Sequence, residues 1–156
     1  MDILKDIRVL DFGRYIAGPY CAALLGDLGA EVIRVERLSG SEDRFVHPLK
    51  DDGGEGAMFM QMNRNKKGIT LNPTKEGASE IVEKLVKSAD VVVANLPPQT
   101  LKRMGIDYET ISKYNPGIIL TTVSAFGAGG PYSERVGFDG VGQAMSGAAY
   151  LTGNDD

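Results

Sequence analysis

A chain of 156 residues, 42% hydrophobic and 24% charged, has the size and composition of one globular domain able to bury a core. Its 17 basic and 21 acidic residues leave a net charge of −4, which argues against a nucleic-acid partner. Cys21 is the only cysteine, so an internal disulfide is excluded and a reducing, cytoplasmic address is expected; no apolar run has the length of a membrane span.

Residues 7–37, IRVLDFGRYIAGPYCAALLGDLGAEVIRVER, read as strand, tight turn, helix and strand. Ile7, Val9, Leu10 and Phe12 form the first apolar run, and Val32, Ile33 and Val35 the second. Between them Ala22, Ala23, Leu24, Leu25 and Leu28 recur at helical spacing, with Pro19 suited to the first turn and Gly29 to the stop. Two such strands joined through a helix make a right-handed parallel crossover. Ligands in such sheets sit beyond the carboxyl ends of the strands, here at residues 13–19 and at Glu36 and Arg37. Gly13, Gly18, Gly26 and Gly29 miss the G-x-G-x-x-G spacing, which disfavours an NAD site. Arg37 suits a phosphate, and the plainer alternative is that Glu36 and Arg37 are a charged pair capping an exposed strand end.

Residues 38–57 are polar and rich in Gly and Asp and read as a long exposed loop. Met58, Met60 and Met62 alternate, as gap-filling core residues or a ligand surface, before a basic cluster of Arg64, Lys66 and Lys67 that is either solvated or gathers anionic oxygens. A short strand over 69–71 leads into a helix over 76–87 with Ile81, Leu85 and Val86 on its buried face. The apolar run 90–94 reads as a central parallel strand stopped by Pro97 and Pro98, which leaves Asn95 at a carboxyl edge. Short helices follow at 101–104, carrying Lys102 and Arg103, and at 108–114. Residues 118–124 read as a further buried strand opening into the glycine-rich turn AFGAGGPY, either a phosphate cradle or a mobile loop. Small residues recur over 138–150, as in a helix packed closely on another chain or a thioester arm. Cys21 reads as a small buried hydrophobe, and with His47 the only histidine no metal set is available. Strands alternating with helices predict an α/β, doubly wound, mostly parallel sheet.

The stretches VLDFGRYIAGPYCAALLGDLGAEVIRVER, NRNKKGITLN, DVVVANLPPQTLKRMGIDYE and SAFGAGGPYSERVGFDGVGQAMSG together resemble, in order and over nearly the whole chain, the amino-terminal part of the class III CoA-transferases, the formyl-CoA and carnitine CoA-transferase family. The resemblance implies that residues 1–156 are the Rossmann-like CoA-binding part of the large domain, with the small domain and carboxyl-terminal part outside the chain. It implies coenzyme A or acyl-CoA as substrate, contacted by residues matching Tyr15, Ile16, Ala17, Arg37, Leu71, Asn72, Thr74, Lys75, Asn95, Leu96, Pro97 and Arg103. Such placement suits phosphates that need cations and N–H donors.

It further implies CoA transfer from an acyl-CoA donor to a carboxylic acid acceptor through aspartyl anhydride and thioester intermediates. The family's aspartate follows the Thr-Gly matched by Thr152 and Gly153 by more than a dozen residues, so neither Asp155 nor Asp156 takes its place. No catalytic residue is therefore assigned, the chain alone is expected not to turn over, and the interlaced homodimer belongs to full-length members. Related α-methylacyl-CoA racemases carry His-Asp where Phe138 and Asp139 stand, which favours transfer over epimerisation and leaves Phe138 and Asp139 as candidates to line the acyl pocket. A helix cap is the other use of Asp139. A non-catalytic nucleotide- or CoA-binding module and an NAD-dependent dehydrogenase domain are the remaining alternatives.

Overall fold

The computed structural model describes residues 2–50 and 53–153; Asp155 and Asp156 lie outside the described residues. Five strands, β1 (Arg8–Asp11), β2 (Glu31–Glu36), β3 (Lys66–Thr70), β4 (Val91–Ala94) and β5 (Ile119–Thr122), form one sheet in the order β3-β2-β1-β4-β5. Every pairing is parallel. The chain winds outward from β1 through β2 to β3, then returns to the other side of β1 for β4 and β5. The order therefore reverses between β1 and β4, and the crevice at their carboxyl ends is the topological switch point.

Alternation along the strands sends side chains to two cores. Val9, Val32 and Val93 face α1 (Ala17–Asp27), where Ala22 packs on them. Leu10, Val35 and Val92 face the opposite layer, with Val82 and Val86 of α3 (Ala78–Lys87), Leu101 of α4 (Pro98–Met104) and Ile111 of α5 (Tyr108–Tyr114). Each fully buried Val or Leu contributes about 1.5–3 kcal/mol relative to exposure. Among the described residues no helix is long and apolar enough to cross a membrane.

The helix faces differ from the sequence reading. In α1 the buried residues are Gly18, Pro19, Ala22, Ala23 and Gly26, while Leu24 and Leu28 are exposed. The helix lies so close to the sheet that a Cβ on Gly26 would stand 3.2 Å from Val32 Cγ2, so only small residues fit. In α3 the buried stripe is Ala78, Val82 and Val86, a strict four-residue repeat that turns Ile81 outward. The methionine stretch is a helix, α2 (Ala57–Met62), whose buried residue is Phe59. β3 begins three residues earlier than predicted, at Lys66, because that lysine is buried against the sheet. β5 is an edge strand with Ile119 exposed rather than a buried one. Residues 138–150 form two short helices, α6 (Asp139–Met145) and α7 (Ala148–Leu151), neither of which buries a residue.

Candidate functional site

The turn between β1 and α1 is built from its own sequence. Asp11, fully buried at the end of β1, accepts from the Gly13 N–H at 2.7 Å, which turns the chain. A Cβ on Gly13 would lie 2.6 Å from Pro19 Cδ, so glycine is required where the turn meets the start of α1. The Asn95 side chain, just past β4, then bridges the switch-point crevice. Its Oδ1 accepts from the Arg14 N–H at 2.6 Å and its Nδ2 donates to the Arg14 carbonyl at 2.7 Å. Gly18 permits this approach, since a Cβ there would stand 2.8 Å from Asn95 Oδ1 and 2.9 Å from Gly13 Cα. Gly18→Ala, although it adds a good helix former, is therefore expected to destabilise the fold by about 1–3 kcal/mol through overpacking. Denaturant unfolding decides: an equal or higher midpoint would mean the loop has room that the geometry denies.

On the other side Tyr15 has a left-handed backbone, φ 59°, uncommon for a bulky residue, and its N–H donates to Asp43 Oδ2 at 3.1 Å. The Arg14 guanidinium caps the strand ends, NH1 donating to the carbonyls of Gly13 at 2.7 Å and Phe12 at 3.1 Å. Burial, then the neighbouring Arg34, pulls the Arg14 pKa below its ordinary value, while Asp43 and Asp11 oppose this.

Asp43, in the segment 38–57 whose composition predicts an exposed loop, belongs to a polar network. It sits in a 3-10 turn (Glu42–Phe45) and, with Ser41, is buried. Arg34, in the middle of β2, donates through NH2 to Asp43 Oδ2 at 2.9 Å and to Ser41 Oγ at 2.8 Å, and through NH1 to Asn63 Oδ1 at 2.8 Å. Its Nε has no hydrogen-bond partner among the described residues, and the guanidinium stands 5.0 Å from the Phe59 ring centroid. Ser41 Oγ donates onward to Glu36 Oε2 at 3.0 Å, and Arg44 binds both oxygens of Glu36 while stacking 4.1 Å from the same ring. Those contacts, led by Arg44, hold the Glu36 carboxyl at about 2. Glu36 and Arg37 are thus not a pair: Glu36 is buried with Arg44, and Arg37 pairs at the surface with Glu42. The basic cluster is likewise structural, with Lys66 on Asp11 and Arg64 on Asp27.

Most of the residues singled out from sequence follow strands at the carboxyl edge of the sheet; Arg103 is carried by α4, and Phe138 and Asp139 by the start of α6. Tyr15, with Ile16 and Ala17 exposed beside it, follows β1, and Arg37 follows β2. Leu71, Asn72, Thr74 and Lys75 follow β3, where Asn72 Oδ1 accepts from the Thr74 N–H and hydroxyl at 3.1 and 2.8 Å. Asn95, Leu96 and Pro97 follow β4, and Arg103 is exposed in the last turn of α4. Leu96 also lines a cavity of about 260 Å³ with Thr122, Ser124, Gly127 and Ala128, so the glycine-rich turn closes a pocket rather than standing free. Phe138 is joined to the site through its ring, 5.6 Å edge-on from that of Tyr15. Asp139 does not cap α6; it lies in the first turn and accepts from Gln143 Nε2 at 2.6 Å. A larger cleft, about 450 Å³, opens at the opposite edge among Lys5, Glu31, Asn65 and Lys67, away from the strand ends where parallel sheets hold ligands. Cys21 is partly buried on the α1 side, and burial pushes its thiol pKa up, against a nucleophile.

Sequence comparison matches residues 4–156 to the model of CoA-transferase family III. The chain belongs to that family. Among family members it is 40% identical to succinyl-CoA:glutarate CoA-transferase of Mus musculus over all of this chain and 36% of that protein. It is 39% identical to succinyl-CoA--D-citramalate CoA-transferase of Chloroflexus aurantiacus, over 98% of this chain and 38% of that protein. The fold superposes on the crystal structure of a CAIB/BAIF family protein from Brucella suis with a TM-score of 0.86 and 38% identity, covering 96% of this chain and 40% of that one. The chain thus spans well under half the length of the family members it matches.

Proposed function

We propose that this chain is the coenzyme A-binding part of an enzyme that moves CoA from an acyl-CoA donor to a carboxylic acid, through aspartyl anhydride and thioester intermediates, in a homodimeric cytoplasmic protein. The observation that carries the reading is the placement of Tyr15, Arg37, Lys75 and Asn95 after β1, β2, β3 and β4 at one carboxyl edge, in a chain that belongs to CoA-transferase family III. Neighbouring strands lie about 4.8 Å apart, so the ends of β2 and β4, with β1 between them, are about 10 Å apart, a span that an extended nucleotide covers. In this reading the tight turn at Gly13 and the exposed residues Ile16 and Ala17 at the start of α1 let the pyrophosphate approach, as helix N-termini do. Arg37 exchanges its surface partner Glu42, a contact worth little in water, for a phosphate oxygen. Phe138 and Asp139 line the acyl end, and no metal takes part.

Calorimetric titration with CoA, using NAD as the competing ligand, tests the reading. CoA is expected to bind in preference to NAD, and Arg37→Ala and Arg103→Ala each to weaken it by about 1.5–3 kcal/mol, the range for charge-assisted hydrogen bonds. Unchanged affinity in both variants, or a preference for NAD, would overturn it.

A further inference from the structure

The β1–α1 turn is gripped from two directions by side chains far away in sequence. Asn95 takes both main-chain groups of Arg14, and Asp43 takes the N–H of the next residue, Tyr15. Between these grips the Tyr15 backbone is held left-handed, a conformation that costs a bulky residue free energy and persists only where its surroundings over-determine it. Asp43 can serve because it is immobile itself: its side chain is fully buried and both of its oxygens accept from Arg34, at 2.9 and 3.1 Å. Arg34 in turn is tied to Ser41 and Asn63, so the anchor spans β2, the 3-10 turn and the end of α2.

We infer that Asp43 is a positioning residue for ligand binding: through Tyr15 it sets the backbone of residues 15–17 in the geometry that receives CoA. The inference rests on the reading of these residues as the CoA-contacting turn. Fixing the turn before the ligand arrives removes an ordering cost from binding, so loosening it lowers affinity even where the fold survives. Asp43 touches no ligand in this account; its effect passes through one main-chain hydrogen bond. A second consequence is that the residue 38–57 segment, although polar, is coupled to the binding turn through its buried carboxylate.

The test compares Asp43→Asn with Val86→Ala, which loosens the opposite core without touching the turn, and with Asn95→Ala, which releases the other grip and leaves the Arg34 ion pair intact should Asp43→Asn fold poorly. CoA dissociation constants are measured well below each midpoint, with amide hydrogen exchange at residues 15–17 followed in ligand-free protein. Asp43→Asn is expected to raise the CoA dissociation constant about tenfold and to speed exchange in the turn, as for loss of roughly one hydrogen bond's worth of preorganisation; Asn95→Ala, whose side chain is itself assigned to CoA, is read by exchange alone and is expected to speed it. Val86→Ala is expected to lower the midpoint and leave both readouts within about twofold. Affinity and exchange in Asp43→Asn that match wild type, or exchange in Asn95→Ala that matches wild type should Asp43→Asn not fold, overturn the positioning role. Wild-type protein that takes no CoA overturns instead the assignment of the ligand, and the exchange readout then still decides whether the grip exists.

Discussion

Replacing Lys66 with Met is expected to cost the folded chain about 3–5 kcal/mol, the range for leaving a buried charge without its partner. Lys66 Nζ is only 2% exposed by side chain and gives all three of its protons to protein acceptors: Asp11 Oδ2 at 2.7 Å, the Pro19 carbonyl at 2.8 Å and Asn63 Oδ1 at 2.9 Å. Burial foremost, with Arg34 adding to it, depresses the Lys66 pKa, while Asp11, and Asp43 after it, oppose this, so the lysine and Asp11 depend on each other. A methionine fills the same volume and returns none of the three bonds. Asp11, with no exposure, then keeps among the described residues only the Gly13 N–H. The double variant Lys66→Met with Asp11→Asn should recover part of the loss, since a neutral amide there is cheaper to bury than an orphaned carboxylate. Guanidinium unfolding of the four proteins completes the cycle. A single-variant loss below about 1 kcal/mol would mean that water or another cation reaches Asp11 when Lys66 is gone.

That pair also marks where the sequence stopped being legible. The alternation of apolar strands and helices is a local pattern, and it predicted the order of elements, the parallel sheet and the carboxyl edge on which Tyr15, Arg37, Leu71 and Asn95 now stand. Lys66 and Asp11 are 55 positions apart, and no local pattern announces that a lysine inside a basic cluster is buried by a carboxylate in another strand. The reading of Lys66 as a solvated or anion-gathering residue, and the late start assigned to β3, both follow from that blindness. Phase errors in α1 and α3 have a different origin. The apolar pattern of α1 put Leu24 and Leu28 beside Ala22 and Ala23, whereas α1 lies so close to the sheet that its buried face is Gly18, Pro19, Ala22, Ala23 and Gly26.

One signal was present and unused. Arg34 interrupts the apolar run Val32, Ile33, Val35 in the middle of a strand buried on both faces, and a buried guanidinium requires a counter-ion. That requirement called for a carboxylate somewhere in the chain; the structure supplies it from residues 38–57, a loop with a core of its own. Which acid answers it, Asp43 and not Glu42, depends on the 3-10 turn that places one inward and the other on Arg37. The same turn places Asp43 on the Tyr15 N–H, so the missed counter-ion and the missed support of the candidate site are one residue.

The second large effect is on acid stability and runs through Glu36. Its carboxyl lies at about 2 in the folded chain against an ordinary 4.5, because Arg44 foremost, and Ser41 after it, bond the charged form. A carboxyl depressed by folding contributes stability that is complete above its unfolded value and is lost as the pH falls through 4.5 toward 2. The gap corresponds to on the order of 3 kcal/mol in full, of which about 2 kcal/mol is gone by pH 3. Other carboxylates titrate over the same window, Glu31 and Glu42 among those also lowered, so the wild-type curve alone does not isolate the effect. The difference between wild type and Glu36→Gln does. Glutamine keeps the shape and one acceptor but has no charge to lose, so the variant is expected to be the less stable protein at pH 6 and to close most of that deficit by pH 3. Urea unfolding of both proteins across that interval reads the convergence directly. A deficit that stays constant with pH would show that Arg44 and Ser41 hold Glu36 by shape and hydrogen bonding alone, and that its proton affinity is the same folded and unfolded.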